Sequence, residues 1–158
     1  VSGEPGAKPE IYIDADACPV KDEVYKVADR YQLTVHVVAN AYIRIPVHPR
    51  ILRVMVEAGP DVADDWIAEH ARAGDIVITS DIPLADRALR AGVSVIAPNG
   101  RALTLDSIGA AMASRAIMEQ IRSTGEITGG PRPFQPADRS RFLQMLDTTI
   151  VQTLRRRP

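Results

Sequence analysis

Short apolar runs alternate along this chain with stretches in which apolar residues recur every three or four positions, the pattern of strands and helices taken in turn. Ile11-Tyr12-Ile13 is a compact β-branched and aromatic run, and Val20, Val24, Val27, Ala28 and Tyr31 then follow at helical spacing. Pro19 is placed for the first turn of that helix. Leu33 to Asn40 predicts a second strand, Ile51 to Val56 a third, Asp75 to Thr79 a fourth and Val93 to Ala97 a fifth. Helices are expected over Asp61 to Arg72, Ile82 to Ala91 and about Thr104 to Arg122. Strands and helices that largely alternate predict an α/β domain with a central, mainly parallel sheet.

Two stretches break the alternation. Ala41 to Arg50 contains Pro46 and Pro49 and reads as a loop. Residues 123–136 carry Gly125, Gly129, Gly130, Pro131, Pro133 and Pro136 and read as a connector between a domain at 10–122 and a last helix at 137–158. That helix has Phe142, Leu143, Leu146, Ile150 and Leu154 on one side. Such a stripe is expected to pack on the domain or on a second copy of the chain. Residues 1–9 are small and polar, expected to be disordered and unlike a signal peptide.

Composition narrows the classes. At 158 residues and 46% hydrophobic content the chain suits one domain with a real core. No apolar run approaches the roughly 20 residues that span a bilayer, so no membrane partner and a cytoplasmic location are expected. The single cysteine, Cys18, excludes an intramolecular disulfide and a cysteine zinc cluster. A net charge of −1 conceals an asymmetry: residues 1–97 carry 10 Lys and Arg against 15 Asp and Glu, whereas residues 98–158 carry 9 against 5. An acidic front half suits a divalent cation, and an arginine-only tail suits phosphates or another acidic surface. Uneven solvated surface is the plain alternative.

The acids stand at particular places. Asp14 and Asp16 end the first strand, Asp64 and Asp65 begin a helix, and Asp81 ends the fourth strand. In a parallel sheet these positions share the carboxyl edge, where ligands bind at the point of reversal in strand order. Carboxylates gathered there repel unless protons or a cation intervene, and Mg²⁺ or Mn²⁺ is the usual hard-oxygen solution. The plain alternative is a set of independent helix caps, which suits Asp61 best. On the metal reading Asp14, Asp65 and Asp81 ligate the ion, while Asp16 and Asp64 assist or orient water. Arg44, His48 and Arg50, in the loop expected to leave the same edge, are candidates for phosphate contact. His36 and His70 are expected in core and surface roles.

Ile11 to Val20, Asp61 to Ile67, Asp75 to Ala85 and Thr128-Gly129-Gly130-Pro131 together resemble the bacterial YaiI/YqxD family, over nearly the whole chain from Glu10. That family is grouped with PIN-like domains, so the resemblance implies a PIN-like, three-layer α/β/α fold and an Mg²⁺- or Mn²⁺-dependent nuclease acting on RNA or DNA. Ala63-Asp64-Asp65 and Ile78 to Leu84 are also similar to the acidic motifs of flap endonucleases. Val62 and Pro83 stand where those enzymes carry further acids, which favours a second reading, a non-catalytic metal- or nucleic-acid-binding module. A third reading takes Asp14-Ala15-Asp16 as the aspartate pair of a HAD-like phosphatase.

Overall fold

The computed structural model describes residues 8–110, 112–114 and 133–156. Most of the proposed connector, the Thr128 to Pro131 motif and residues 1–7 lie outside the described residues, as does the expected helix beyond residue 114. Six strands, β1 (Ile11–Asp14), β2 (Val35–Ala39), β3 (Ile51–Met55), β4 (Ile76–Ile78), β5 (Ser94–Ile96) and β6 (Ala102–Leu103), form one sheet in the order β3-β2-β1-β4-β5-β6. All neighbours are parallel except β5 and β6. The two-residue β6 carries no periodic signal and was not expected from sequence.

Alternation of side chains assigns each strand residue to one of two cores. On one face Ile11, Ile13, Val35, Val37, Ile76 and Ile78 pack beneath α1 (Lys21–Tyr31) and α5 (Pro136–Arg156). On the other Tyr12, Val38, Val77 and Val95 pack beneath α2 (Val62–His70) and α3 (Ile82–Arg90), with Ile108 from the helical residues 105–110, here α4. The result is the three-layer α/β/α arrangement that the family resemblance implies.

Helix α5 docks on its own domain. Phe142, Leu146 and Ile150 are fully buried in the core that α1 also covers. Arg139 pairs with Glu23 at 2.7 Å and Arg30 with Asp147 at 3.1 Å across the α1/α5 seam. The turn before β6 meets the same helix at Gly100, whose φ of +91° already favours glycine. A Cβ there would stand 2.6 Å from the backbone carbonyl carbon of Arg141. Absence of a side chain lets α5 lie this close.

One connection corrects the expected loop geometry. Because β2 and β3 are parallel neighbours joined without a helix, residues 40–50 run from the carboxyl edge back to the amino edge, roughly 15 Å of strand length. The backbone N–H of Val35, at the start of β2, donates to the Arg50 carbonyl at 2.8 Å. Arg50 and His48 therefore lie at the edge opposite Asp14. They engage Asp29 near the end of α1, at 2.9 and 3.3 Å.

Candidate metal centre

Strand order reverses between β1 and β4; β1 ends in Asp14, and Asp81 follows the end of β4 by three residues. Register pairs Ile13 with Ile78, so the next residues, Asp14 and Thr79, are neighbours across the strands. Thr79 Oγ1 donates to Asp14 Oδ2 at 2.8 Å and accepts from the backbone N–H of Asp81 at 3.0 Å. One buried hydroxyl thus ties the two acid-bearing strand ends together. Asp81 is held a second time as the N-cap of α3, its Oδ1 accepting from the Leu84 N–H at 2.9 Å.

Asp14 and Asp16 do not cap the following helix. A 3-10 turn, Ala15–Ala17, takes the chain away from β1, and the N-cap of α1 is Val20, which leaves Pro19 just outside the helix. Asp16 is exposed on that turn and its Oδ2 accepts from the Asn40 N–H at 3.4 Å. Asp61 departs from expectation too. It occupies the N-cap position of α2 but makes no side-chain cap, and its φ of 65° lies in the left-handed region that costs a non-glycine residue energy.

These residues enclose an open crevice of about 480 Å³ lined by Asp14, Asp16, Asp61, Asp64 and Asp81 together with Asn40, Gly59, Ala63, Ser80 and Ile82. Five carboxylates meet there with no basic side chain in the lining. Burial, opposed by the Thr79 hydrogen bond and reinforced by Asp81 and Asp16, raises the Asp14 carboxyl above its ordinary range. Asp64 moves further, from 3.8 to about 6, through burial first, then the charges of Asp81, Asp14 and Asp61, and a hydrogen bond with Asp81. Two carboxyls share such a bond only when one holds a proton.

Asp65 is not in the crevice. It lies on the exposed side of α2 and accepts from Arg87 Nη1 at 2.6 Å. Asp64 stands where Asp65 was expected among the ligands. The signal was present in sequence: at 3.6 residues per turn Asp65 falls about 180° from the midline of the buried Ala63 and Ile67, and Asp64 only about 80°. Arg44 is exposed midway along the 40–50 loop, while His48 and Arg50 belong to the far edge, so two of the three phosphate candidates are displaced. Thr79, Asn40, Ser80 and Asp61 were not singled out for the site. Only the strand pairing brings the first three to it. Cys18 is buried, and burial pushes its thiol up, away from nucleophile chemistry.

The donor set fits a hard cation. Carboxylate, hydroxyl and amide oxygens line the crevice, and no sulfur or imidazole does. As the side chains stand, no three acids, histidines or cysteines among the described residues are grouped closely enough to hold an ion.

The Asp64 shift carries a prediction for the metal-free protein. Its folded-state pKa exceeds the unfolded one, so the folded state binds the extra proton between pH 4 and 6. This contribution is complete below the unfolded value and is lost as pH rises through about 6. Solvent screening at a half-open site reduces it to on the order of 1 kcal/mol. Urea melts should find wild type gaining stability from pH 7 to pH 5 relative to Asp64→Asn, and parallel pH profiles would contradict the shift.

A three-layer α/β domain with carboxylates gathered at the switch point of its sheet is the class this protein falls in. More narrowly, the family profile described as "Uncharacterized BCR, YaiI/YqxD family" matches residues 12–152, and the chain belongs to that family. The chain is 62% identical over 145 residues to a UPF0178 protein of Caulobacter sp. (strain K31), covering 92% of this chain and 96% of that one. It is 57% identical over 152 residues to a UPF0178 protein of Rhodopseudomonas palustris (strain HaA2), covering 96% and 93%. A UPF0178 protein of Azorhizobium caulinodans is 59% identical over 152 residues, covering 94% and 96%. No solved structure matches the chain. No helix among the described residues is long and apolar enough to cross a membrane.

Proposed function

We propose that this protein is a divalent-metal-dependent nuclease that hydrolyses RNA or DNA phosphodiesters in the acidic crevice. The observation that carries the reading is the meeting of Asp14 and Asp81, joined through Thr79, with Asp64 at the switch point of the sheet. Five carboxylates without a basic neighbour repel one another and would repel a phosphate, and a cation answers both. Asp14, Asp64 and Asp81 would hold Mg²⁺ or Mn²⁺, their side chains closing from the looser spacing they have without it. Bound there, the ion supplies activation of water and stabilisation of charge on the phosphoryl oxygens.

The chain's own residues do the rest. Thr79 fixes the orientation of Asp14, and the α3 cap fixes Asp81, so neither carboxylate must be ordered at the moment of reaction. Asp16, exposed in the crevice lining, would orient water or take its proton. The likeness of the acidic motifs to PIN-like nucleases adds support.

Purified protein with Mn²⁺ is expected to cleave single- or double-stranded oligonucleotides, and Asp14→Asn, which deletes the charge at nearly constant volume, to lose at least about 100-fold in rate. The loose spacing of the acids favours a second reading, a non-catalytic module of weak metal affinity. Absence of cleavage by wild type, or full cleavage by Asp14→Asn, would decide for that reading.

A further inference from the structure

Tyr42 is 69% exposed, yet its ring is not loose. The Arg53 guanidinium lies over it, 4.5 Å from the ring centroid, and Arg53 Nη2 donates to the Tyr42 hydroxyl at 3.3 Å. Arg53 Nε donates to the Ile43 carbonyl at 3.0 Å, tying the loop that carries the ring to β3. The ring is therefore oriented before any ligand arrives. Its accessible surface is the kind that apolar, planar groups cover.

Position gives the ring its meaning. Tyr42 lies two residues beyond Asn40, which lines the crevice, and two residues reach at most about 7 Å. Met55, 62% exposed, pairs with Ala39 at the end of β2 and shares the strand face of Arg53. Arg44 is exposed two residues further along the same loop. Beside a cleft of carboxylates there is thus a fixed aromatic ring, a thioether and two guanidinium groups.

We propose that Tyr42, braced by Arg53, is a stacking platform for an unpaired base of a single-stranded nucleic acid, with Arg44 beside that strand's phosphates. Every base offers a π-face, so stacking on an exposed ring tolerates any sequence, and arginine adds cation–π attraction and charge. In a duplex the faces of the bases are already stacked on one another, which directs the platform to single strands. The choice of ligand rests on the nuclease reading, since Tyr42 follows by two residues a residue that lines the crevice proposed to take the phosphodiester. Selectivity for single strands is a property this surface adds.

The test is fluorescence anisotropy with a labelled single-stranded oligonucleotide, the same strand with abasic sites, and its duplex, each with wild type, Tyr42→Ala and Tyr42→Phe. Tyr42→Ala is expected to weaken binding of the intact single strand about tenfold or more, and Tyr42→Phe to stay within about threefold. The abasic strand and the duplex should bind all three proteins alike and more weakly. Equal binding of the intact strand by wild type and Tyr42→Ala, equal binding of intact and abasic strands, or no binding by wild type would overturn the platform. Cleavage with Mn²⁺ is followed in parallel, so that the two readings fail separately. Tyr42-dependent binding without cleavage keeps the platform and removes the nuclease, whereas cleavage with Tyr42-independent binding does the reverse.

Discussion

Asp64→Asn is expected to lower Mn²⁺-dependent cleavage by at least about 100-fold, and the adjacent Asp65→Asn to leave it within about threefold. The two residues differ by one position, which on a helix is about 100° of direction. Asp64 faces the crevice, where burial first and then the charges of Asp81 and Asp14 push its carboxyl up to about 6. Asp65 faces solvent, and its partner is Arg87. Removing a charge from an exposed ion pair of this kind changes stability by about 1 kcal/mol or less. Rates measured under saturating Mn²⁺, with melting temperatures alongside, separate the two effects. A loss at Asp65 equal to that at Asp64 would mean that the face of α2 has been misassigned.

Phe142→Ala is expected to remove about 3–5 kcal/mol of stability, a large share of the 5–15 kcal/mol typical of a domain. Phe142 is fully buried and sits with Leu146 and Ile150 in the core shared by the sheet, α1 and α5. The site cannot collapse easily, because the Gly100 turn already touches the backbone of Arg141 and Phe142 and the Arg139–Glu23 pair fixes the helix from the other side. A fall of roughly 10 °C or more in melting temperature should follow. A shift of only a degree or two would show that α5 adds little to the fold.

Where sequence was informative, the reason is local. Ile11 to Asp14 puts an apolar run directly before an acid and Ile76 to Asp81 puts one two polar residues before an acid, and alternation of elements is enough to send both acids to one edge. The meeting of Asp14 with Asp81 needed only that β1 and β4 be neighbours, as they are. The stripe of α5 announced burial in the same way, because Phe142, Leu146 and Ile150 recur at helical spacing.

What was missed depends on contacts distant in sequence. Nothing in residues 41–50 says that β3 lies parallel to β2, and that pairing alone carries His48 and Arg50 to the far edge. Thr79 reads as the last residue of an apolar strand until its hydroxyl is seen between Asp14 and Asp81. Asp61 looks like an N-cap by residue type, but its left-handed backbone withdraws the side chain from capping and places the residue in the crevice lining. The choice between Asp64 and Asp65 is different in kind, because the helical phase of Ala63 and Ile67 already contained it.

On the proposed function, the acids at the switch point bind a divalent cation. Crystals soaked in Mn²⁺ and measured at the manganese absorption edge address it most directly. Anomalous density is expected within coordination distance of Asp14, Asp64 and Asp81, about 2.0–2.4 Å from their oxygens, with Asp65 still on Arg87. Density elsewhere on the molecule, or a crevice without density at millimolar Mn²⁺, would contradict it.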